Sequence, residues 1–330
     1  MPLLDLKNLS ISRGEGERNR IIDNVSLTID QGDIRALIGV SGAGMSLIMT
    51  AIVGIRRRGL TYSAERYRID GTDVQKLSPA RRRRFIGRKI FIIFQDPRMN
   101  LDPAMTIRRQ FREILSLRNF HDRWYRYPGW KSRRMENLLI RVGISNYRKV
   151  LRSKPGELTD IECRKINIAL ALAYEPELLI ADEPLSAMSV SSERQILSLL
   201  DSVNKNEHLT MLIGTNDLAP IAKLAGSVSL LYAGQIVETG KTQAVLSSPK
   251  HPYTRRLIRS MNEMGGELDH DEMFSELGGI FPSWPELPIG CRFGPRCPMA
   301  ERVCLRTPPA VKLPQGHVWK CHFSAPSDSE

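Results

Sequence analysis

The sequence predicts an α/β protein built on a mostly parallel sheet, followed by a small, irregular, cysteine-rich C-terminal domain. A glycine-rich loop lies between an apolar strand-like run and an apolar helical segment, and further strand-like runs end in polar residues. From about residue 249 onward, prolines, glycines and cysteines become more frequent. Strands that alternate with helices indicate a sheet covered on both faces. We expect a large domain at 1–250, with a helical subdomain at about 96–175, and a smaller domain at 251–330.

Each strand of the predicted sheet is a short apolar run. Residues 3–6 and 25–29 alternate as half-buried strands do, residues 34–39 run straight into the glycine-rich loop, and residues 46–53 have helix-forming character. Further strands are predicted at 91–94, 178–183, 211–217 and 228–232, and mainly helical structure at 106–142, with a break at 128–129. Because ligands bind at the carboxyl ends of parallel strands, the polar residues that end these strands predict the site there.

Composition narrows the class of protein. The 330 residues are 42% hydrophobic and 25% charged, which is ordinary for a globular protein. No apolar run approaches the ~18–20 residues that span a bilayer, and no secretory signal opens the chain, so we expect a cytoplasmic protein unless a partner holds it at a membrane. The formal charge of +12, with basic runs at 56–58, 81–84 and 123–134, suits solvated surface, an anionic membrane face or nucleic acid.

The glycine-rich loop at 39–46 fits the phosphate-binding pattern G-x-x-x-x-G-K-[ST] at every position except Met45. In this pattern glycines let backbone N–H groups surround phosphates, the serine hydroxyl reaches Mg²⁺, and the lysine neutralises phosphate charge. A thioether neither donates a hydrogen bond nor carries charge. The loop therefore predicts nucleotide binding and questions catalysis. The predicted nucleotide-binding residues here are Gly39, Ser41, Gly42, Ala43, Gly44, Met45 and Ser46.

Two acids end the apolar run at 178–183. Asp182 is placed to bind the nucleotide through Mg²⁺, directly or through water, together with Ser46 and Gln95 as metal ligands. Glu183 is placed to orient or deprotonate an attacking water. The simpler alternative for Glu183 is a strand-end carboxylate at a turn.

The order of these motifs resembles the ATP-binding subunit of an ABC transporter over nearly the whole chain. The order is the glycine-rich loop, Gln95, residues 158–162, Asp182 and residues 215–217. The resemblance implies an ABC-type P-loop nucleotide-binding domain and an ATP shared between the P-loop of one subunit and the signature segment of another. It also implies catalytic roles for Gln95 and Glu183, with Asn216 as a weaker candidate at the position of the family's switch histidine.

The signature segment departs from the family's L-S-G-G-Q. Thr159 keeps a hydroxyl, Asp160 and Ile161 replace the glycines, and Glu162 replaces the glutamine. The Thr159-x-x-Glu162 spacing predicts a capping box that starts a helix. Both carboxylates stand where a phosphate should arrive at the helix N-terminus, so we expect weaker ATP binding across a dimer.

Further departures predict slow hydrolysis. Asn216 donates a hydrogen bond but carries no positive charge, and Ser189 stands where the family has the D-loop aspartate. The first 61 residues contain no Phe, Trp or Tyr, although the family's adenine-stacking aromatic lies there. Loss of one preorganised donor costs about 10²–10³ in rate, and such losses are not additive. We predict a poor ATPase that still binds nucleotide weakly.

Several segments resemble the ATPase subunits of oligopeptide, dipeptide and nickel importers. Residues 95–97 and 100–103 resemble their Q-loop, which precedes the contact with the membrane subunit, and residues 251–254 resemble their His-Pro-Tyr motif. A helix start with proline in its first turn is the simpler alternative for the latter. Interleaved arginines and aromatics at 124–131 suit stacking on nucleic-acid bases as well as a protein interface or a membrane headgroup layer, and the flanking importer-like motifs favour membrane-side contact.

Four cysteines, Cys291, Cys297, Cys304 and Cys321, lie in the C-terminal segment with spacings of five, six and sixteen residues. These spacings match no zinc C-x₂-C pair. The segment resembles the C-terminal region of the same importers, in which four cysteines bind a [4Fe–4S] cluster. Zinc and reduced structural cysteines remain alternatives. Cys163 is most simply a small buried residue.

Among these importers, the Sap-type peptide transporters are most similar, on residues 1–5, 129–134, 141–144 and 287–292. The resemblance implies a related ATPase subunit as heterodimer partner, two membrane permease subunits and, indirectly, a peptide-binding protein. It places the chain at the cytoplasmic side of the bacterial inner membrane, with no nucleic-acid partner. The alternatives are a soluble ABC-type protein associated with nucleic acid or ribosomes, as the charge suggests, and a non-functional product of a decaying gene.

Overall fold

The structure, a computed structural model, describes residues 2–14, 19–117, 128–263 and 281–323, and two sheets organise them. The strands are β1 (Pro2–Ser12), β2 (Arg20–Asp30), β3 (Ile34–Gly39), β4 (Thr61–Ser63), β5 (Arg66–Ile69), β6 (Thr72–Asp73), β7 (Ile90–Ile93), β8 (Leu178–Asp182), β9 (Thr210–Thr215), β10 (Ser227–Tyr232), β11 (Gln235–Lys241), β12 (Ala310–Lys312) and β13 (Val318–Lys320). The helices are α1 (Met45–Ile52), α2 (Pro79–Lys89), α3 (Ile107–Leu117), α4 (Trp130–Arg141), α5 (Tyr147–Val150), α6 (Asp160–Tyr174), α7 (Val190–Glu207), α8 (Leu218–Ile221), α9 (Thr242–Ser247) and α10 (Pro252–Glu263).

The larger sheet has the order β12-β13-β11-β10-β3-β9-β8-β7. Its five strands from β10 to β7 run parallel, which confirms the predicted mostly parallel sheet. Strands β8 and β9 are buried along their whole length because helices cover both faces, and this explains their continuous apolar sequences. The carboxyl ends of β3, β9, β8 and β7 share one edge, where the glycine-rich loop begins.

The smaller sheet is antiparallel and was only half predicted. Strand β1 pairs with β2, β4 and β5, and β5 pairs with β6. Strands β1 and β2 are longer than predicted, and β4 to β6 were missed because they are short and carry few buried side chains. A signal was present in Asp70-Gly71, since both residues have positive φ, as a two-residue hairpin turn requires.

The predicted helical subdomain is present between β7 and β8 as α3, α4, α5 and α6. The predicted break at 128–129 lies directly before α4, where Gly129 takes a left-handed conformation at the helix N-terminus. Of the basic and aromatic segment at 124–131, residues 124–127 lie outside the described residues.

The C-terminal segment is built onto the larger sheet. Strand β13 pairs with β11, and β12 pairs with β13. The ring of Phe293 is buried against Tyr232 and Tyr253, at centroid distances of 5.2 and 5.7 Å, inside the core of the main domain. The segment therefore shares that core, since so short a stretch buries too little apolar surface to have its own. The division at residue 250 stays a prediction.

In the described ranges, no helix is both long and apolar enough to cross a membrane.

Candidate nucleotide site

The glycine-rich loop is held in place by its backbone. A β-carbon at Gly39 would lie 2.7 Å from the carbonyl oxygen of Leu231, so only glycine lets β3 approach β10 so closely at this point. Gly44 has a φ of 106°, a conformation that glycine adopts without strain. The carbonyl of Ala43 accepts a hydrogen bond from the N–H of Gly234 at 2.8 Å. The loop is thus anchored at both ends, against β10 and against the turn that carries Gly234.

Met45 opens α1, but its side chain is turned into the protein. It is 5% exposed and belongs to the same apolar cluster as Ile48 and Ile52 of its own helix. A nucleotide can therefore meet only the backbone N–H of Met45, whereas Ser41 and Gly42 lie exposed at the tip of the loop. As predicted, this position supplies no positive charge where the phosphate-binding pattern has a lysine.

Asp182 ends β8 with an unpaired oxygen. Its side chain is 4% exposed, and its Oδ1 atom finds no hydrogen-bond partner among the described residues. Burial raises the pKa of the Asp182 carboxyl, and a hydrogen bond with Ser46 opposes this shift. Asp182, Ser46 and Gln95 line one cavity of about 680 Å³. Oxygen atoms around an uncompensated buried carboxylate are what a hard cation such as Mg²⁺ prefers, so these residues fit the ion.

Glu183 is held in contact with Gln95. The Gln95 side-chain amide donates a hydrogen bond to the Glu183 carboxylate at 3.0 Å. Glu183 has a φ of 45°, and its N–H donates to the carbonyl of Gly214 at 2.8 Å. A left-handed conformation is unfavourable for glutamate and persists where the surroundings require it, often at functional sites.

Asn216 follows β9 and lines a second cavity of about 280 Å³ together with Glu183. Ser186 and Ala187 line both cavities. Three predicted residues, Ser46, Gln95 and Asp182, therefore line the first cavity. Glu183 lines the second cavity together with Asn216.

The predicted capping box is present at the start of α6. The N–H of Thr159 donates to the Glu162 carboxylate at 3.0 Å, and the N–H of Glu162 donates to the Thr159 hydroxyl at 3.3 Å. The hydrogen bond from the Thr159 backbone is the main cause that lowers the pKa of Glu162. The Glu162 carboxylate is thus used within its own helix cap.

Asp160, the second carboxylate of this segment, has a partner that sequence reasoning missed. It forms an ion pair with Arg98, which follows the Q-loop glutamine and also donates to the carbonyl of Leu158 at 2.9 Å. Its charge is therefore offset locally. Because both side chains are well exposed, such a pair contributes at most about 1 kcal/mol to stability.

Arg164 connects α6 to the loop after β8. This buried side chain donates to the carbonyl oxygens of Pro184 at 3.0 Å and Ser186 at 2.9 Å. Burial lowers the pKa of the guanidinium. In the sequence, Arg164 stands beside Lys165 in the charged first part of the helix, and no local signal marks it as buried. On the same loop, Ser189 caps α7 by accepting a hydrogen bond from the N–H of Ser192 at 3.4 Å.

The His-Pro-Tyr motif is an internal support. His251 is buried, its Nδ1 accepts a hydrogen bond from the N–H of Tyr253 at 3.1 Å, and burial lowers the pKa of its ring to about 3. The N–H of His251 donates to the buried carboxylate of Glu238 at 2.8 Å, and Glu238 also contacts Nε2 of His317 at 2.7 Å. The motif therefore joins β11 to the C-terminal segment.

Arg292 fastens the C-terminal segment beside the glycine-rich loop. Its buried guanidinium donates to the carbonyls of Arg20 at 2.8 Å, Ile21 at 3.1 Å and Ala233. Ala233 precedes Gly234, whose N–H holds the loop at Ala43. Sequence reasoning did not single out Arg292.

The four C-terminal cysteines lie close enough to influence each other. Burial raises the pKa of Cys291 to about 11, with smaller contributions from Cys304 and Cys321. Burial likewise raises the pKa of Cys297 and Cys321. However, in the part of the chain that the structure describes, no group of three or more His, Cys, Asp or Glu side chains is arranged to hold a metal ion. The iron–sulfur or zinc site stays a prediction. Cys163 is fully buried, as predicted.

The architecture and the loop define a class. A glycine-rich loop follows the central strand of a parallel sheet, a buried carboxylate ends a nearby strand, and a helical subdomain is inserted before that strand. This is a P-loop nucleotide-binding protein of the ABC type. The profile of the ABC transporter family matches residues 22–186, and that of the oligopeptide/dipeptide transporter C-terminal region matches residues 237–304. The chain belongs to the ABC transporter family.

Curated relatives match along their whole length. The chain is 40% identical over 331 residues to the peptide transport system ATP-binding protein SapD of Escherichia coli O6:H1, covering 100% of both chains. It is 39% identical over 324 residues to SapD of Haemophilus influenzae, covering 98% of this chain and 93% of the relative. It is 34% identical over 328 residues to the dipeptide transport ATP-binding protein DppD of Escherichia coli K12, covering 98% and 97%.

Solved structures share the fold. The dimeric post-hydrolysis structure of the ATP-binding cassette MJ0796, bound to ADP and Pi, has a TM-score of 0.62 at 22% identity, covering 72% of this chain and 98% of that one. The structure of cbiO1 from Clostridium perfringens has a TM-score of 0.62 at 23% identity, covering 80% and 95%.

Proposed function

We propose that this chain is the ATP-binding subunit of a peptide ABC transporter, peripheral at the cytoplasmic face of the bacterial inner membrane, and that it hydrolyses ATP poorly. The names of the SapD and DppD relatives support the transport role. The single observation that carries the proposal is a contrast between the end of β8 and the start of α1. Asp182 keeps an unpaired oxygen beside Ser46, while Met45 turns its side chain into the core.

The residues have separate roles in this proposal. Backbone N–H groups of the loop bind the phosphates, and Asp182 and Ser46 hold Mg²⁺, with Gln95 lining the same cavity. When held by Asp182 and Ser46, Mg²⁺ would supply positive charge that stabilises the phosphates. Glu183, held by Gln95, orients a water and accepts its proton, and Asn216 donates a hydrogen bond from the neighbouring cavity.

Slow hydrolysis follows from what the site no longer supplies. The buried Met45 thioether adds no charge, and Asn216 and Ser189 stand where the family has charged side chains. Loss of one donor at a developing charge costs about 10²–10³ in rate. The Glu162 carboxylate of the helix cap and the Asp160 carboxylate, which pairs with Arg98, also occupy the helix N-terminus that would meet the phosphate of a second subunit.

We infer that the chain works with a related ATPase subunit. Val190, beside Ser189 at the start of α7, is 61% exposed, and Met99, near the Q-loop, is 68% exposed. Single exposed apolar side chains are ordinary on protein surfaces, so the inference is supported by the relatives, which are named as ATP-binding proteins of peptide transport. We propose that Val190 contacts the second ATPase subunit and Met99 one of two permease subunits, with a peptide-binding protein acting indirectly.

For the C-terminal cysteines we propose a [4Fe–4S] cluster, with zinc as the alternative. Burial raises the pKa of Cys291, Cys297 and Cys321, and hydrogen bonding from nearby backbone N–H groups, such as those of Phe293 and Gly294 near Cys291, opposes this shift. Such hydrogen bonds accompany thiolate ligands of iron–sulfur clusters. Among the described residues, no three of these thiols surround a position for a single metal ion. Anaerobic purification followed by iron, sulfide and zinc analysis tests the assignment, and protein free of all three contradicts it.

Nucleotide affinity with and without Mg²⁺ tests the main proposal, measured on the chain alone and with its partner ATPase. We expect sub-millimolar binding that Mg²⁺ strengthens, together with co-purification of membrane permease subunits. The alternative, a soluble ABC-type protein on nucleic acid or ribosomes, rests on the +12 charge. Salt-dependent RNA or DNA binding without any permease would favour that alternative.

A further inference from the structure

An indole from the C-terminal segment lies against the glycine-rich loop. Trp284 opens a short 3₁₀ helix, Trp284–Glu286, and is partly exposed. Its Cη2 atom is 3.5 Å from the position that a β-carbon of Gly44 would occupy, and Cδ1 of Ile22 is 2.5 Å from the same position. Trp284 and Ile22 therefore border the loop immediately before the first residue of α1.

The position of this indole is well supported. The N–H of Glu286 donates to the Ser283 carbonyl at 3.0 Å, and the Ser283 hydroxyl donates to the Glu286 carboxylate at 2.8 Å, which closes the turn. On one side of this turn Phe281 packs edge-on against Tyr232, at a centroid distance of 5.2 Å. On the other side, Arg292 binds the carbonyls of β2 and the turn that carries Gly234. The indole is thus fixed relative to the loop.

The strands beside the glycine-rich loop contribute no aromatic side chain near Gly44. Residues 1–61 contain no Phe, Trp or Tyr, so β1, β2, β3 and α1 provide no aromatic surface for a base. Every nucleobase has a flat face, and an aromatic side chain stacks on it without regard to sequence-specific hydrogen bonds. Tryptophan offers the largest such face, and its partial exposure leaves ring surface available.

We propose that Trp284 stacks on the base of the nucleotide whose phosphates the glycine-rich loop binds. The C-terminal segment thereby completes the nucleotide site, in addition to its contacts with the sheet. Ile22, which borders Gly44 beside Trp284, provides apolar contact for the sugar or the base edge. This assignment rests on the proposed nucleotide binding and names the residue that distinguishes a nucleotide from its phosphates alone.

The test compares two ligands, Mg-ATP and Mg-tripolyphosphate, by calorimetry on the full chain. We expect Trp284→Ala to weaken Mg-ATP binding about tenfold or more, and to leave Mg-tripolyphosphate binding within about twofold. Trp284→Phe should retain most of the ATP affinity because it keeps a ring. Ile289→Ala, a change at an exposed side chain of the same segment, should alter neither ligand. Circular dichroism and thermal unfolding verify that each variant is folded.

Several results overturn the assignment. Unchanged ATP binding by Trp284→Ala shows that the ring only covers Ile22, and tighter ATP binding shows that it blocks the site. Equal losses for both ligands show that Trp284 supports the loop without meeting the base. Wild-type protein that binds neither ligand contradicts the proposed function itself, and this assignment with it, so the two failures are distinguishable.

Discussion

The side-chain amide of Gln95 donates a hydrogen bond to the carboxylate of Glu183 at 3.0 Å, across the carboxyl ends of β7 and β8. The polar pair that would position a water is therefore kept together, although the loop beside it has lost its lysine. What the site lacks is the positive charge that would stabilise a phosphate. The water-positioning pair and the missing charge can be tested separately.

Glu183→Gln should change the ATPase rate of the complex with the partner subunit by less than about twofold, because slow chemistry at this site leaves little activity to lose. The measurement is phosphate release by the purified complex. The same substitution at the equivalent glutamate of the partner is the control and should reduce the rate strongly. A large drop from Glu183→Gln would sink the idea that this subunit is a poor ATPase.

Met45→Lys should strengthen Mg-ATP binding without restoring full hydrolysis. The ammonium restores one charge near the phosphates, but Asn216 and Ser189 still lack the charges of the family. Loss of the buried thioether should also lower the free energy of unfolding by about 1–3 kcal/mol. Met45→Leu keeps the packing and should change neither property by much. Full activity in Met45→Lys would show that the other departures are harmless.

Asp182→Asn should stabilise the ligand-free protein. Burial raises the pKa of Asp182 above its unfolded value, so the folded state binds the proton more tightly and loses stability as rising pH ionises the group. The amide removes that cost at pH 7, and also removes the charge that holds Mg²⁺. Urea unfolding in EDTA should show the gain at pH 7, while Mg²⁺ should no longer strengthen nucleotide binding. A less stable variant would contradict the raised pKa.

Arg164→Met and Arg98→Ala should differ sharply. The buried Arg164 satisfies carbonyl oxygens of two residues in the loop after β8, so its loss should cost about 2–4 kcal/mol. Arg98 forms an exposed ion pair with Asp160, so its loss should cost less than about 1 kcal/mol. Urea unfolding of both variants checks the order, and equal losses would contradict the difference in burial.

Local sequence patterns carried the central part of the fold. The run from β3 through the loop into α1, the acids that end β8 and the capping box of α6 each depend on residues close in the chain, and all were predicted. The short strands β4 to β6 were missed because two to four residues with at most one buried side chain give little apolar alternation.

The remaining features depend on contacts between distant residues. The direction of the Met45 side chain follows from the space beneath the loop, and the Arg98–Asp160 pair joins residues 62 positions apart. Trp284 of the C-terminal segment lies beside Gly44 of the glycine-rich loop, far away in the sequence. No periodicity or motif in the sequence indicates such long-range contacts, so only the structure reveals them.

Two measurements on one preparation of the purified chain test whether it binds Mg-ATP but hydrolyses it poorly. They are Mg-ATP affinity by calorimetry and the rate of phosphate release. We expect sub-millimolar binding that depends on Mg²⁺, with hydrolysis at least about 10²-fold slower than by the partner ATPase subunit. Hydrolysis as fast as the partner's, or no Mg²⁺-dependent binding at all, would contradict it.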